Sequence, residues 1–267
     1  MIRDITIGQY YPVNSIVHRI DARVKIIGTV LFISSLFIVN NTVGYVFVTL
    51  SLLSAIALSS VPVKFMFKGL KAIIFIIAFT ALINLFATKG RPLVKVFMFT
   101  ITYEGVFLAI KMCVRLIMLI VGSSLLTLTS TPMELTDGIE SLLSPFKRIG
   151  VPSHEIAMMM TIALRFIPTL LDETDKIMKA QLARGADFET GSFLHRAKSL
   201  IPIIVPLFIS AFRRADELAM ALESRCYNGD NGRTRMNERV MDRTSVIAAV
   251  VLAIYFLISI ASRFIII

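Results

Sequence analysis

The sequence has no tryptophan, only two cysteines and only three histidines in 267 residues, and each shortage removes a kind of chemistry. Cys113 and Cys226 stand in unrelated contexts without a C-x-x-C pair, so neither a disulfide framework nor a metal cage is expected. His18, His154 and His195 lack the i, i+4 spacing that sets two imidazoles on one helical face, so no metal site is expected either. No G-x-x-x-x-G-K-[ST] run occurs, which argues against a self-contained ATPase. Acidic residues are unevenly placed: all but Asp4, Asp21 and Glu104 of the 18 fall between positions 130 and 243. The long apolar runs therefore hold no cluster of carboxylates, histidines or a nucleophile, the minimum for an integral-membrane enzyme. Met1 to Asn14 is polar and mixed rather than a basic stub before an apolar core, so no cleavable signal peptide is predicted.

What is abundant is apolar. At 56% hydrophobic and 17% charged residues, with a mean hydropathy of +0.78, the chain exceeds the range of soluble domains, and a bilayer must solvate much of it. The net charge of +10 carries no basic run interleaved with aromatics, so the predicted partner is the lipid bilayer and not nucleic acid. Five apolar runs are long enough to approach the roughly 30 Å of hydrocarbon: Val24–Val39, Val43–Leu58, about Ala72–Ala87, about Val106–Leu128 and Ser245–Ala261. The stretch from Lys89 to Glu104 holds Val94–Phe99, too short to cross and read as a surface or re-entrant piece, and is left unassigned. The fold class predicted is an all-α integral membrane protein. Residues 1–129 form four spans, 130–243 a water-facing helical insert, and 244–267 a last span.

Basic residues give the orientation. Arg3, Arg19, Arg23 and Lys25 precede the first span, Lys64, Lys68 and Lys71 separate the second from the third, and the Asn40-Asn41-Thr42 turn has none. Lys89, Arg91 and Lys95 weaken the pattern. The N-terminus and residues 130–243 are nonetheless predicted to be cytoplasmic, with Arg233, Arg235 and Arg239 beside anionic lipid on that side. Lys111 and Arg115, four residues apart inside a span, admit two readings. They snorkel to the nearer interface, or they line a polar seam facing a partner or substrate path.

The insert opens on Thr131-Pro132-Met133-Glu134, a capping-box pattern with proline at the first helical position, and a short helix to about Leu143 should follow. Ser144-Pro145 and Gly150-Val151-Pro152 are turns, and Ser153 is predicted to cap a long helix to Arg184, kinked at Pro168. A second long helix is predicted from about Phe193 to Arg225, bent near Pro202 and Pro206. The two share a design. Ile167, Leu170, Leu171, Thr174, Ile177, Met178 and Gln181 form one helical stripe, and Phe208, Ala211, Phe212, Ala215, Leu218, Ala219 and Leu222 repeat its rhythm 41 positions later. The same offset carries Arg184 onto Arg225. Asp172, Glu173, Asp175 and Lys176, and Arg213, Arg214, Asp216 and Glu217, form the charged outer faces. Ala211, Ala215 and Ala219 are small enough for a close helix crossing, while Arg165, Asp172, Glu173, Arg213 and Arg214 are expected to hold the insert together through salt bridges. A lone arginine at a helix end only favours the macrodipole, by about 0.3–1 kcal/mol. Two matched ones, in Ala183-Arg184-Gly185 and Ser224-Arg225-Cys226, suggest bidentate docking on carboxylates across an interface.

Several segments carry a family resemblance: Ser15 to Lys25 before the first span, Leu164-Arg165-Phe166-Ile167-Pro168-Thr169, Ala180 to Asp187 around Ala-Arg-Gly, Arg213-Arg214-Ala215-Asp216-Glu217, and Glu223-Ser224-Arg225-Cys226-Tyr227. Over most of its length the chain resembles the transmembrane (T) components of energy-coupling factor transporters, the CbiQ/EcfT-like family. The resemblance implies that residues 130–243 are a coupling domain. Arg184 and Arg225 would end two coupling helices seated in grooves of paired ATP-binding-cassette ATPases, EcfA and EcfA′, while the upper faces of those helices hold a substrate-binding S component. It further implies uptake of a vitamin or metal ion across a bacterial cell membrane, with ATP and magnesium bound by the ATPases and no cofactor or catalytic residue in this chain. Glu223-Ser224-Arg225 departs from the commoner small-residue form of the second motif. A stand-alone secondary transporter is the alternative, but five spans with a large insert fit poorly with inverted repeats and interrupted spans.

Overall fold

The computed structural model describes residues 9–88, 90–96, 99–188, 192–229 and 241–263. Its elements are α1 (Ile16–Arg19), α2 (Ala22–Ile38), α3 (Thr42–Ser59), α4 (Val63–Ala87), the strands β1 (Pro92–Val96) and β2 (Phe99–Thr102), α5 (Tyr103–Thr129), α6 (Pro132–Leu143), a 3-10 turn (Ser144–Ile149), α7 (Ser153–Ala183), α8 (Phe193–Ser199), α9 (Ile201–Ser224) and α10 (Arg243–Ser262). The protein is a helical membrane protein. Among the described residues the strands form a single antiparallel hairpin, within the stretch that the sequence left unassigned. Arg233, Arg235 and Arg239 lie outside the described residues.

Among the described residues, four helices are long and apolar enough to cross a bilayer, namely α3, α5, α7 and α10, and α4, bent by 64° between Lys71 and Ile73, makes a fifth if its two parts are one span. Length and composition alone admit α7 among these helices and leave out α2. The predicted first span is α2, whose 17 residues rise about 25 Å, at the short end for a crossing. In α7, Arg165 is the one charged residue between Ile156 and Leu171, and the acids of the segment flank that apolar half.

Contacts divide the chain into two compact units, one holding α1–α5, the hairpin, the start of α6 and α10, the other the 3-10 turn and α7–α9. In the first, Leu36, Val48, Leu52, Met118, Val121, Leu128 and Tyr255 form the core. Tyr255 stacks on Phe47 and satisfies its hydroxyl against Ser35 at 2.6 Å, so a polar group is buried at little cost. Close packing depends on glycine where α5 passes α4. A Cβ on Gly105 would stand 3.1 and 3.2 Å from the carbonyl oxygens of Asn84 and Leu85, backbone atoms that cannot swing aside.

The Ser15–Lys25 segment acts as a lock. Ser15 caps α1, His18 bridges the Ser15 hydroxyl and the Tyr11 carbonyl, Asp21 caps α2, and the Asp21 N–H donates to Ser245 of α10. Lys25, buried, donates to the His18 carbonyl and, at 2.7 Å, to the Thr129 carbonyl at the end of α5, where the helix dipole favours a cation. The reciprocal capping box at α6 forms as read: the Thr131 N–H donates to Glu134 Oε2 and the Glu134 N–H to Thr131 Oγ1, both at 3.2 Å. One cap is corrected. Pro152, not Ser153, occupies the N-cap of α7, and Ser153 is its buried first residue.

Candidate functional site

The second unit is built on α7 and α9, and the 41-residue offset read from the sequence proves to be a spatial relation. Arg214 Nη2 donates to Glu173 Oε2 at 2.9 Å, joining two positions that the offset superimposes, and the Ser210 hydroxyl also bonds this carboxylate. Toward the end of α7, Gln181 Nε2 donates to the Pro202 carbonyl at the start of α9 at 3.4 Å, so the helices run antiparallel.

The remaining predicted ion pairs are absent from the described residues. Arg165, Asp172 and Arg213 are exposed, and Asp175 pairs with Lys179 one turn along its own helix. Exposed charges have little to gain from pairing, about 0–1 kcal/mol, so water competes successfully for them. The face of α9 also needs correction. Its covered positions are Ile203, Leu207, Ser210, Arg214, Leu218 and Leu222, with Ala211 at the edge, while Ala215 and Ala219 are exposed. The helix is rotated to bring Ser210 and Arg214 onto Glu173, which turns Phe208 and Phe212 outward. On α7 the predicted stripe is half-covered from Leu170 to Gln181, and Ile167 is exposed beside Pro168.

The two helix ends match closely. Arg184 is the C-cap of α7 with φ −88° and ψ 6°, and Arg225 the C-cap of α9 with φ −91° and ψ 9°. Each is followed by a left-handed residue, Gly185 at φ +85° and Cys226 at φ +56°. In α7 the Gly185 N–H donates to Leu182 and the Ala186 N–H to Gln181; in α9 the Cys226 N–H donates to Glu223 and the Tyr227 N–H to Leu222. Both are Schellman closures, in register at the same offset of 41. Ala183, Arg184, Gly185, Ser224 and Arg225 are all exposed, and no ion pair among the described residues engages either arginine. A recess of about 350 Å³ adjoins the Arg225 end, lined by Lys147, Pro152, Ser153, Glu155, Asn228 and Gly229. The site thus presents two cationic helix ends of one backbone geometry, each free to meet an acidic partner.

Comparison with known proteins decides the family. A family model described as "Cobalt transport protein", CbiQ, matches residues 13–236. The chain belongs to the CbiQ/EcfT family. Among its relatives, the energy-coupling factor transporter transmembrane protein EcfT of Thermosediminibacter oceani is 54% identical over 264 residues, 99% of this chain and 100% of the relative. The EcfT of Clostridium kluyveri is 56% identical, covering 98% of each chain, and that of Bacillus subtilis 46%, covering 95% of this chain and 97% of the relative. As a CbiQ/EcfT protein the chain is a transmembrane component of an energy-coupling factor transporter, and a transport subunit rather than an enzyme.

Proposed function

We propose that this chain couples ATP hydrolysis on two separate ABC-type ATPase subunits, EcfA and EcfA′, to a substrate-binding S component, and itself binds neither nucleotide nor cargo. The observation that carries the reading is the pair of identical Schellman closures, each displaying an exposed arginine. One helix-end shape presented twice suits two related partner grooves. Guanidinium is the side chain best matched to a carboxylate in such a groove, because two parallel N–H donors meet two oxygens. ATP-driven movement of the partners would then be transmitted along α7 and α9 to the S component, releasing a vitamin or metal ion inward. The outward apolar face of α9, with Ile204, Phe208 and Phe212, suits a very hydrophobic partner. In this reading the N-terminus and residues 130–243 are cytoplasmic and α7 does not cross the bilayer, so the ends of α7 and α9 both face the cytoplasm, in keeping with the basic residues before α2 and between α3 and α4.

The test is co-purification of the tagged chain from mild detergent with its ATPases, comparing wild type with Arg184→Glu, Arg225→Glu and the double reversal. Truncating one member of a buried interfacial charge pair costs about 2–5 kcal/mol, so each reversal should weaken association at least tenfold and the double should abolish it, with membrane insertion intact. Retained complex and transport in the double reversal would rule out docking through these arginines.

A further inference from the structure

Two cations inside α5 are answered by no acid among the described residues. Lys111 Nζ donates to the Asn40 carbonyl at 2.7 Å and lies 5.2 Å from the centre of the Tyr45 ring. Arg115 Nε donates to the Tyr45 phenol oxygen at 2.8 Å, and its guanidinium carbon is 5.7 Å from the centres of both Phe37 and Tyr45. Every one of these partners is neutral. Between residues 22 and 129 the sole carboxylate is Glu104, and its Oε2 accepts the Arg91 N–H at 2.7 Å. Among the described residues, two positive charges one helical turn apart are therefore left uncompensated, an arrangement that favours an anion from outside.

The level of the pair says where that anion comes from. Asn40 belongs to the polar turn between α2 and α3, and the neighbouring Asn41 Nδ2 donates to the Ser262 carbonyl at the end of α10. The ends of α2 and α10 and the start of α3 thus mark one boundary of the spanning bundle, and the Lys111 ammonium lies on it. That boundary is where lipid phosphates lie, and an aromatic such as Tyr45 is at home there. Below it, α5 turns Ile110, Val114 and Ile117 outward, and Phe37 of α2 is also exposed, so acyl chains have an apolar wall beneath the charges. Arg115 engages only its Nε, leaving both Nη groups to grip two phosphate oxygens, and Lys111 can add a third contact.

We propose that Lys111 and Arg115, oriented by Tyr45 and the Asn40 carbonyl, bind the phosphate of an anionic phospholipid at this boundary. A zwitterionic lipid fits less well, because no acidic side chain among the described residues is at hand to receive its ammonium. This joins both sequence readings, since the side chains snorkel to the interface and there meet a specific ligand.

The experiment uses the full chain in nanodiscs of equal phosphatidylglycerol and phosphatidylcholine, extracted gently and weighed by native mass spectrometry. Wild type should retain phosphatidylglycerol over phosphatidylcholine by roughly tenfold. Lys111→Gln/Arg115→Gln should lose the preference, and Lys64→Gln/Lys71→Gln, which removes equal charge elsewhere in the same unit, should keep it. Equal retention of the two lipids by wild type overturns the proposal without recourse to any variant, and so does an unchanged preference in the first double variant. Displacement of the retained lipid by excess inorganic phosphate would mark a free-anion site and overturn the lipid assignment.

Discussion

The two arginine-ended helices reach the same closure with different residues. Helix α7 closes on glycine at φ +85°, while α9 reaches the same closure with Cys226 at φ +56°. Left-handed backbone costs a residue with a Cβ about 1–2 kcal/mol, and glycine nothing comparable. Along their length the helices also diverge: the predicted stripe of α7 is half-covered, while four of its counterparts in α9, Phe208, Phe212, Ala215 and Ala219, face outward. A repeated helix rhythm therefore fixed how each helix ends and left each free to bury a different face.

The largest expected effect tests the equivalence of the ends. If both serve similar grooves, Arg184→Glu and Arg225→Glu should weaken ATPase co-purification to within about threefold of each other; a tenfold disparity would mean that one end dominates. Next comes the contact that joins the helices. Removing either Arg214 or Glu173 strands a partly buried charge and should lower stability by about 1–3 kcal/mol in thermal unfolding in detergent. Glu173→Leu with Arg214→Leu should recover part of that loss, whereas additive losses would show that the pair is not coupled. The caps give the sharpest contrast. Gly185→Ala should cost about 1–2 kcal/mol and Cys226→Gly should add up to about 1 kcal/mol, opposite signs at matched positions, and equal signs would refute the matched closure. Smallest is Ala215→Leu, expected within about 0.5 kcal/mol because the side chain is exposed; a penalty above about 2 kcal/mol would restore the face first read from the sequence.

What the sequence disclosed was chiefly local. The Thr131–Glu134 capping box, the breaks at Ser144-Pro145 and Gly150 and the ends of α7 and α9 depend on residues within a few positions of one another, and all were legible. The face of α9 was not. Apolar residues occur around much of its circumference, from Ile203 and Leu207 to Phe208 and Phe212, so periodicity alone does not say which side is covered. Arg214 read both as part of a charged outer face and as one of the residues bridging the helices, and the structure bears out the bridge to Glu173, the position that the 41-residue offset superimposes on it. Likewise Lys25 read as one of several inside charges, because its acceptor, Thr129, lies 104 residues along the chain.

That distance has a consequence for biogenesis. A chain emerging from its N-terminus makes Lys25 long before Thr129 exists, and until then the ammonium has the nearby His18 carbonyl to hold it. The first span is accordingly expected to settle late, once α5 has been completed, and its short 17-residue length lets the lysine wait at the interface. Stalled chains halted before and after Thr129 test this timing: a cysteine replacing Phe32, which packs against Gly122 of α5, should stay reactive to a water-soluble maleimide in the shorter chain and become protected in the longer one, and equal protection in both would remove the checkpoint.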